Sequence, residues 1–303
     1  MDIYMKIPYG IMPAALTIWN EDETFNEKGM EHYLRWLLDN GAHSISACGS
    51  TGENIAMHME EQKKVIEVTV KTVAGQVPVY VGTGRYTTAA TIELSKYAET
   101  AGADGVMIIL PYYLKPYKGA AMDHYRAVAK EINIPIMVYN NPWFAGYELN
   151  AKDIRQLVDE GVVNSVKSAH GDAARIHELK FECGDKLKVF YGHDYAGLEG
   201  IAAGADGWLS GILSALPKQC RQIYDAVAVE RDLEKGRKIL NKLMPFINYL
   251  TYEKVNEKPH WLEIFKAAVN MQGIPAGKPR RPLGELDDEN VQKLRTVLDT
   301  ALS

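Results

Sequence analysis

GVMIILPYYLKPYKGAAMDHYRAVAKEINIPIMVY, residues 105–139, decides the fold. It opens on an apolar run, Gly105–Leu110, passes into an amphipathic helical pattern over Ala120–Ile132, and closes on a second apolar run, Pro135–Tyr139. Strand, helix and strand with short joints make a βαβ unit, whose two strands lie parallel. The runs do not alternate with polar residues, as expected of strands covered on both faces.

The same unit recurs on either side. Strands are predicted at Gly10–Leu16, Ser44–Cys48 and Val77–Val81 before it, and at Val162–Ser168, Lys188–Gly192 and Gly207–Gly211 after it. Helical patterns fall between them at Asn26–Asp39, Glu60–Val73, Ala89–Ala101, Ala151–Glu160 and Ala173–Cys183. Right-handed crossovers leave an open doubly wound sheet or a closed barrel. Eight consecutive units point to the barrel, an α/β fold of the (β/α)8 TIM type. Gly-Ala-Asp-Gly occurs before the fourth strand and again before the eighth, a faint echo that chance would also produce. Beyond the eighth strand only helical patterns remain, at Gln219–Val229, Leu233–Thr251, Lys258–Met271 and Asp288–Leu302, with a Gly- and Pro-rich linker over Gly273–Pro282. The expected organisation is a barrel over residues 1–224 that carries the active site, and a small C-terminal helical extension over residues 225–303.

Composition narrows the function. A chain of 303 residues does not require two domains, because α/β barrels reach this length as one. The net charge of −5 argues against a nucleic-acid partner. The one basic cluster, Lys278–Arg281, sits among prolines and glycine and is expected to be a solvated loop rather than an anion site. Cysteines 48, 183 and 220 form no metal or redox spacing and cannot all pair, which suits a reducing compartment. Met1–Tyr9 has no long apolar run and no stretch is long and apolar enough to span a membrane. A cytoplasmic location without a membrane partner is expected.

Several residues at the predicted strand ends carry chemistry. Lys167 lies near the C-terminal end of the sixth strand, and in a barrel those ends form the active face. Burial there disfavours an ammonium, and a neutral amine attacks ketones. The same position suits a lysine reaching out of the barrel end, and strand context leaves both readings open. Tyr139 ends the fifth strand, one strand away. Its phenol could carry protons or merely cap the core. Gly49-Ser50-Thr51-Gly52-Glu53 follows the second strand, where glycines permit a tight turn that presents N–H groups and two hydroxyls. Such a loop fits a carboxylate, or simply starts the next helix. Pro111-Tyr112-Tyr113 and Gly192-His193-Asp194 add polar groups to the same rim, while His170 or His193 alone would be unremarkable.

These motifs, in this order, resemble the dihydrodipicolinate synthase/N-acetylneuraminate lyase family of class I aldolases, and the likeness runs over nearly the whole chain. The resemblance implies a Schiff base between Lys167 and a 2-oxo acid such as pyruvate. It implies that Gly49, Ser50 and Thr51 hold the carboxylate, and that Tyr139 moves protons through a relay completed by Ser50 and Tyr113, the latter often from a neighbouring subunit. No cofactor and no metal are implied, and a homotetramer, with a dimer as the alternative, is expected.

The chain departs from two branches of that family. Synthases usually carry Tyr-Asn-x-Pro-x-Arg-Thr, but Phe144 stands at the arginine and cannot replace a guanidinium. Neuraminate lyases usually show Gly-Tyr-Asp-Glu after strand seven, whereas here Asp194 is followed by Tyr195. His170, His193 and Asp194 could still hydrogen-bond a smaller polyol. The expectation is therefore a lyase that cleaves a 2-oxo-3-deoxy sugar acid or 4-hydroxy-2-oxo acid to pyruvate and an aldehyde. A dehydratase or deaminase of the same family, dihydrodipicolinate synthase itself, and a non-catalytic 2-oxo acid binder are the alternatives.

Overall fold

The structure is a computed structural model that describes residues 7–251 and 259–303. Eight parallel strands run β1 (Gly10–Ile11), β2 (Ile45–Ala47), β3 (Val79–Gly82), β4 (Gly105–Ile109), β5 (Ile136–Asn140), β6 (Ser165–Ser168), β7 (Lys188–Tyr191) and β8 (Gly207–Trp208). From β2 to β8 each neighbours the next in the sheet, and β8 pairs with β1. A parallel bridge between Ala14 and Ser46 joins the first strand's continuation to β2 and closes the (β/α)8 barrel.

All eight predicted strands are present, most of them shorter. Past Ile11 the chain leaves regular pairing at Pro13, which has no N–H to give. Its carbonyl still accepts from Ser46 N–H, at 3.0 Å. Val162 and Val163 belong to a turn rather than to β6. The preceding helix, Ala151–Asp159, ends at Gly161 in the left-handed conformation, with Val162 N–H bonded back to Leu157 O.

Strand alternation sorts the apolar side chains into two cores. Val106, Ile108, Ile136, Val138, Val166 and Val189 face outward and pack under the helices. Met107, Met137, Tyr139 and Phe190 face inward and fill the barrel with Met12, Tyr80 and Leu209. The covering helices are Glu27–Asp39, Met59–Val73, Thr88–Ala101, Lys118–Ala129, Ala151–Asp159, Ala174–Cys183 and Gly197–Ala202. The last of these, with the four-residue helices Pro142–Ala145 and Ile212–Ala215, is too short to register as a period in sequence.

After β8 the chain is helical over Pro217–Tyr224, which runs into a π turn at Asp225–Val229, and then over Leu233–Thr251, Trp261–Met271 and Asp288–Leu302. The expected start of the third tail helix at Lys258 lies outside the described residues. The tail returns to the barrel: Phe265 packs against Gly211, and Gln272 donates to Ala215 O. No helix among the described residues is long and apolar enough to cross a membrane.

Candidate active site

Lys167 sits in β6 in register with Tyr139 of β5 on one side and Phe190 of β7 on the other. Both neighbours point into the barrel, so the pleat turns Lys167 inward with them. It is 5% exposed, which rules out the outward-reaching alternative. Its Nζ stands 4.1 Å above the centre of the Tyr139 ring. An ammonium over an aromatic face is stabilised by about 0.5–2 kcal/mol, more when water is excluded. Among the described residues no carboxylate pairs with this amine. Gly192 makes room for the lysine stem: a Cβ there would lie 2.8 Å from Lys167 Cγ.

The phenol of Tyr139 is held by a residue that sequence reading did not single out. Asn141 donates from Nδ2 to Tyr139 Oη at 3.1 Å, and its Oδ1 accepts from Phe144 N–H. Asn141 thus caps the short helix that starts at Pro142, and Asn before Pro was a legible cap signal. The adjacent Asn140 bonds both backbone groups of Leu149, bracing the loop after β5.

The loop Gly49–Glu53 follows β2 at the same barrel end. Cys48 and Glu53, on either side of Gly49–Gly52, have φ of 56° and 57°, left-handed values that non-glycine residues seldom adopt. Gly52 N–H bonds Gly49 O and Glu53 N–H bonds Ser50 O, which curls the segment tightly. Among the described residues, the N–H groups and hydroxyls of Ser50 and Thr51 bond no protein group. Two adjacent free amides at a curled turn form an anion-binding concavity. Gly49 lies against Met107 Cε, at the edge of the inner core that contains Tyr139.

The remaining candidates spread along the rim. Burial pushes the His193 imidazole below the usual range, Asp194 pulls it up, and the Lys167 charge pushes it down again. Its Nδ1 accepts from Asp194 N–H. Asp194 is engaged through Oδ1 by Ile212 N–H at the start of the 212–215 helix. His170 stands 3.8 Å from Glu148, which also pairs with Arg175, while Trp143 donates to His170 O. Phe144 is half exposed, on the short helix after β5. Tyr113 is 84% exposed on the loop after β4, beside the exposed Leu114 and Tyr117.

Within the basic cluster Arg281 is exposed, as a solvated loop would have it, and Arg280 departs from that reading. Arg280 is mostly buried and its guanidinium sits over Trp19, with Cζ 3.8 Å from the ring centre. Its guanidinium bonds Glu61 and the carbonyls of Glu23 and Ala56.

A buried amine thus lies over a phenol ring inside a (β/α)8 barrel, and the comparisons with known proteins make the chain a barrel lyase. The chain belongs to the dihydrodipicolinate synthetase family, which it matches over residues 8–301. It is 37% identical over 290 residues to a 4-hydroxy-tetrahydrodipicolinate synthase of Methanocaldococcus jannaschii, covering 95% of this chain and 97% of that one. A second enzyme of that name, from Clostridium novyi, is 33% identical over 94% of both chains. Among solved structures, dihydrodipicolinate synthase from Aquifex aeolicus superposes with a TM-score of 0.88 at 31% identity, over 96% of this chain and 97% of that one. The Acinetobacter baumannii enzyme, crystallised with pyruvate, gives 0.89 at 29% identity, over 97% and 99%.

Proposed function

We propose that Lys167 attacks the ketone of pyruvate and that this chain then joins the resulting enamine to an aldehyde. The observation that carries this reading is the Lys167 amine, buried and stacked over Tyr139. The amine adds to C2 of pyruvate and water leaves, giving an imine. Loss of a C3 proton gives the enamine, which forms a carbon–carbon bond to the aldehyde carbon as the carbonyl oxygen takes up a proton. Tyr139 supplies and recovers these protons, and Ser50 with Tyr113 extends the relay. The amides of Ser50 and Thr51, with Gly49, hold the pyruvate carboxylate, so orientation is fixed before the barrier.

The relatives' names favour the synthase reading, in which the aldehyde is aspartate semialdehyde. Phe144 favours a second reading, because a neutral ring stands where a synthase would hold its acceptor's carboxylate. In that reading the enzyme runs toward cleavage of a 2-oxo-3-deoxy sugar acid, with His170, His193 and Asp194 around the hydroxyls, or eliminates water or ammonia from the imine. The exposed Tyr113 and its apolar neighbours support a homotetramer that completes the relay from a second subunit. The three buried free thiols suit a cytoplasmic enzyme. We assign residues 1–224 to the catalytic barrel and residues 225–303 to its helical extension.

Incubation with pyruvate and borohydride, followed by peptide mapping, tests the chemistry: an adduct on Lys167 is expected. Turnover of aspartate semialdehyde, 2-oxo-3-deoxy acids and hydroxypyrroline carboxylate then separates the branches. No adduct with any 2-oxo acid would reopen the binding-protein alternative.

A further inference from the structure

The C-terminal tail reaches back to the carboxylate loop through a buried ion pair. Glu53, the last residue of that loop, accepts from Lys266 Nζ at 2.9 Å, and the two side chains are 4% and 1% exposed. The same Glu53 oxygen accepts from Trp19 Nε1 at 2.9 Å, and the other accepts from Arg280 N–H at 2.9 Å. Lys266 also donates to Lys278 O. Among the described residues, the partners of the Glu53 carboxylate other than Trp19 come from the tail.

Glu53 bears two demands at once. Its backbone holds a left-handed φ of 57°, and its charge is almost completely buried. Neither persists unless the surroundings over-determine it. Arg280 holds the far side of the segment by bonding Ala56 O and Glu61. Thr17 Oγ1 fixes the near side by donating to Gly52 O at 2.7 Å. The tail thus grips the turn that aims the Ser50 and Thr51 amides.

We infer that Glu53, Lys266 and Arg280 are positioning residues that shape the Ser50–Thr51 turn for the substrate carboxylate, so that the helical tail is part of the binding site. This inference rests on the reading of that turn as the carboxylate site. Substrate affinity depends on the grip, whereas imine chemistry at Lys167, in a different strand, does not.

The test measures the pyruvate concentration that half-saturates borohydride trapping, in the full-length wild type, E53Q, K266M, E53Q/K266M and R280A. Hydrogen exchange over residues 49–54 is read on the same samples without pyruvate. E53Q and K266M each raise half-saturation at least tenfold while trapping at saturating pyruvate stays near wild type. The double variant removes both charges and keeps, through the single Gln oxygen, one of the two hydrogen bonds from Trp19 Nε1 and Arg280 N–H, so it recovers part of the loss. R280A raises half-saturation several-fold, and it carries the test if the Glu53 and Lys266 variants do not fold. Folded variants with wild-type half-saturation and unchanged exchange overturn the inference. A wild type that fails to trap at all overturns the proposed imine chemistry at Lys167 instead, and faster exchange in the variants would then still report the grip.

Discussion

Lys167 and Tyr139 are paired residues of adjacent parallel strands, and the amine nitrogen of one rests 4.1 Å above the ring centre of the other. Register and pleat alone produce this contact. It places the Lys167 amine over the Tyr139 ring, and Asn141, just past β5, holds the phenol oxygen.

Replacing Lys167 by Met or by Arg removes the imine. Methionine has no nucleophile, and arginine stays charged at any pH the protein survives. Both variants are expected to lose the borohydride adduct and measurable turnover while keeping the wild-type circular dichroism spectrum. An adduct mapped to another lysine in either variant would contradict the assignment.

Tyr139→Phe keeps the ring under Lys167 and deletes only the hydroxyl. Removing a general acid–base group lowers kcat by about 10²–10⁴-fold. The half-saturating pyruvate should change little, since the carboxylate turn is untouched. Asn141→Ala should lower kcat by a smaller factor, because it frees the phenol without removing it. Steady-state kinetics on the two variants separate these effects.

Phe144→Arg restores a guanidinium at the half-exposed position after β5. A charge-assisted hydrogen bond contributes about 1.5–3 kcal/mol, or about 10–100-fold. The variant is expected to gain at least about tenfold in kcat/KM for an acceptor bearing a carboxylate, relative to a neutral aldehyde. Equal kcat/KM ratios in variant and wild type would show that residue 144 does not face the acceptor.

His43 makes stability depend on pH. Its Nδ1 accepts Ile11 N–H at 3.1 Å, beneath β1. Burial, with help from Arg221 and against the pull of Asp225, lowers its pKa to about 4. The unfolded chain therefore binds this proton first, and stability falls as pH drops from about 6.5 toward about 4. Because water still reaches part of the ring, the expected loss is only about 1 kcal/mol. Denaturant unfolding of wild type and His43→Asn at pH 7.5, 6 and 5 checks it: their difference should shrink as pH falls.

The eight strands and most helices were legible because apolar runs and helical periods report burial directly. Strand lengths were not, since a hydrophobic residue such as Val162 serves a helix end as readily as a strand. Lys167, Tyr139 and the Ser50–Thr51 turn could be found because parallel strands put their C-terminal ends on one face. The residues that hold them were harder to find. Asn141 acts through a side-chain bond that an Asn-Pro cap only hints at. Lys266 shares the apolar face of its helix with Leu262 and Val269, a buried lysine whose partner lies far back in the chain. Arg280 was misjudged because a basic loop rich in proline reads as solvated, whereas its carbonyl, carboxylate and aromatic partners come from remote segments.

The contact between Glu53 and Arg280 spans 227 positions of sequence. A ribosome therefore releases the carboxylate loop long before it releases the segment that shapes it. Until the chain has been made past residue 280, Glu53 lacks this partner, although the last barrel strand ends at Trp208. On the proposed reading of the turn, chains that end before residue 280 are expected to trap pyruvate only at raised concentration, which borohydride trapping of a truncated chain checks.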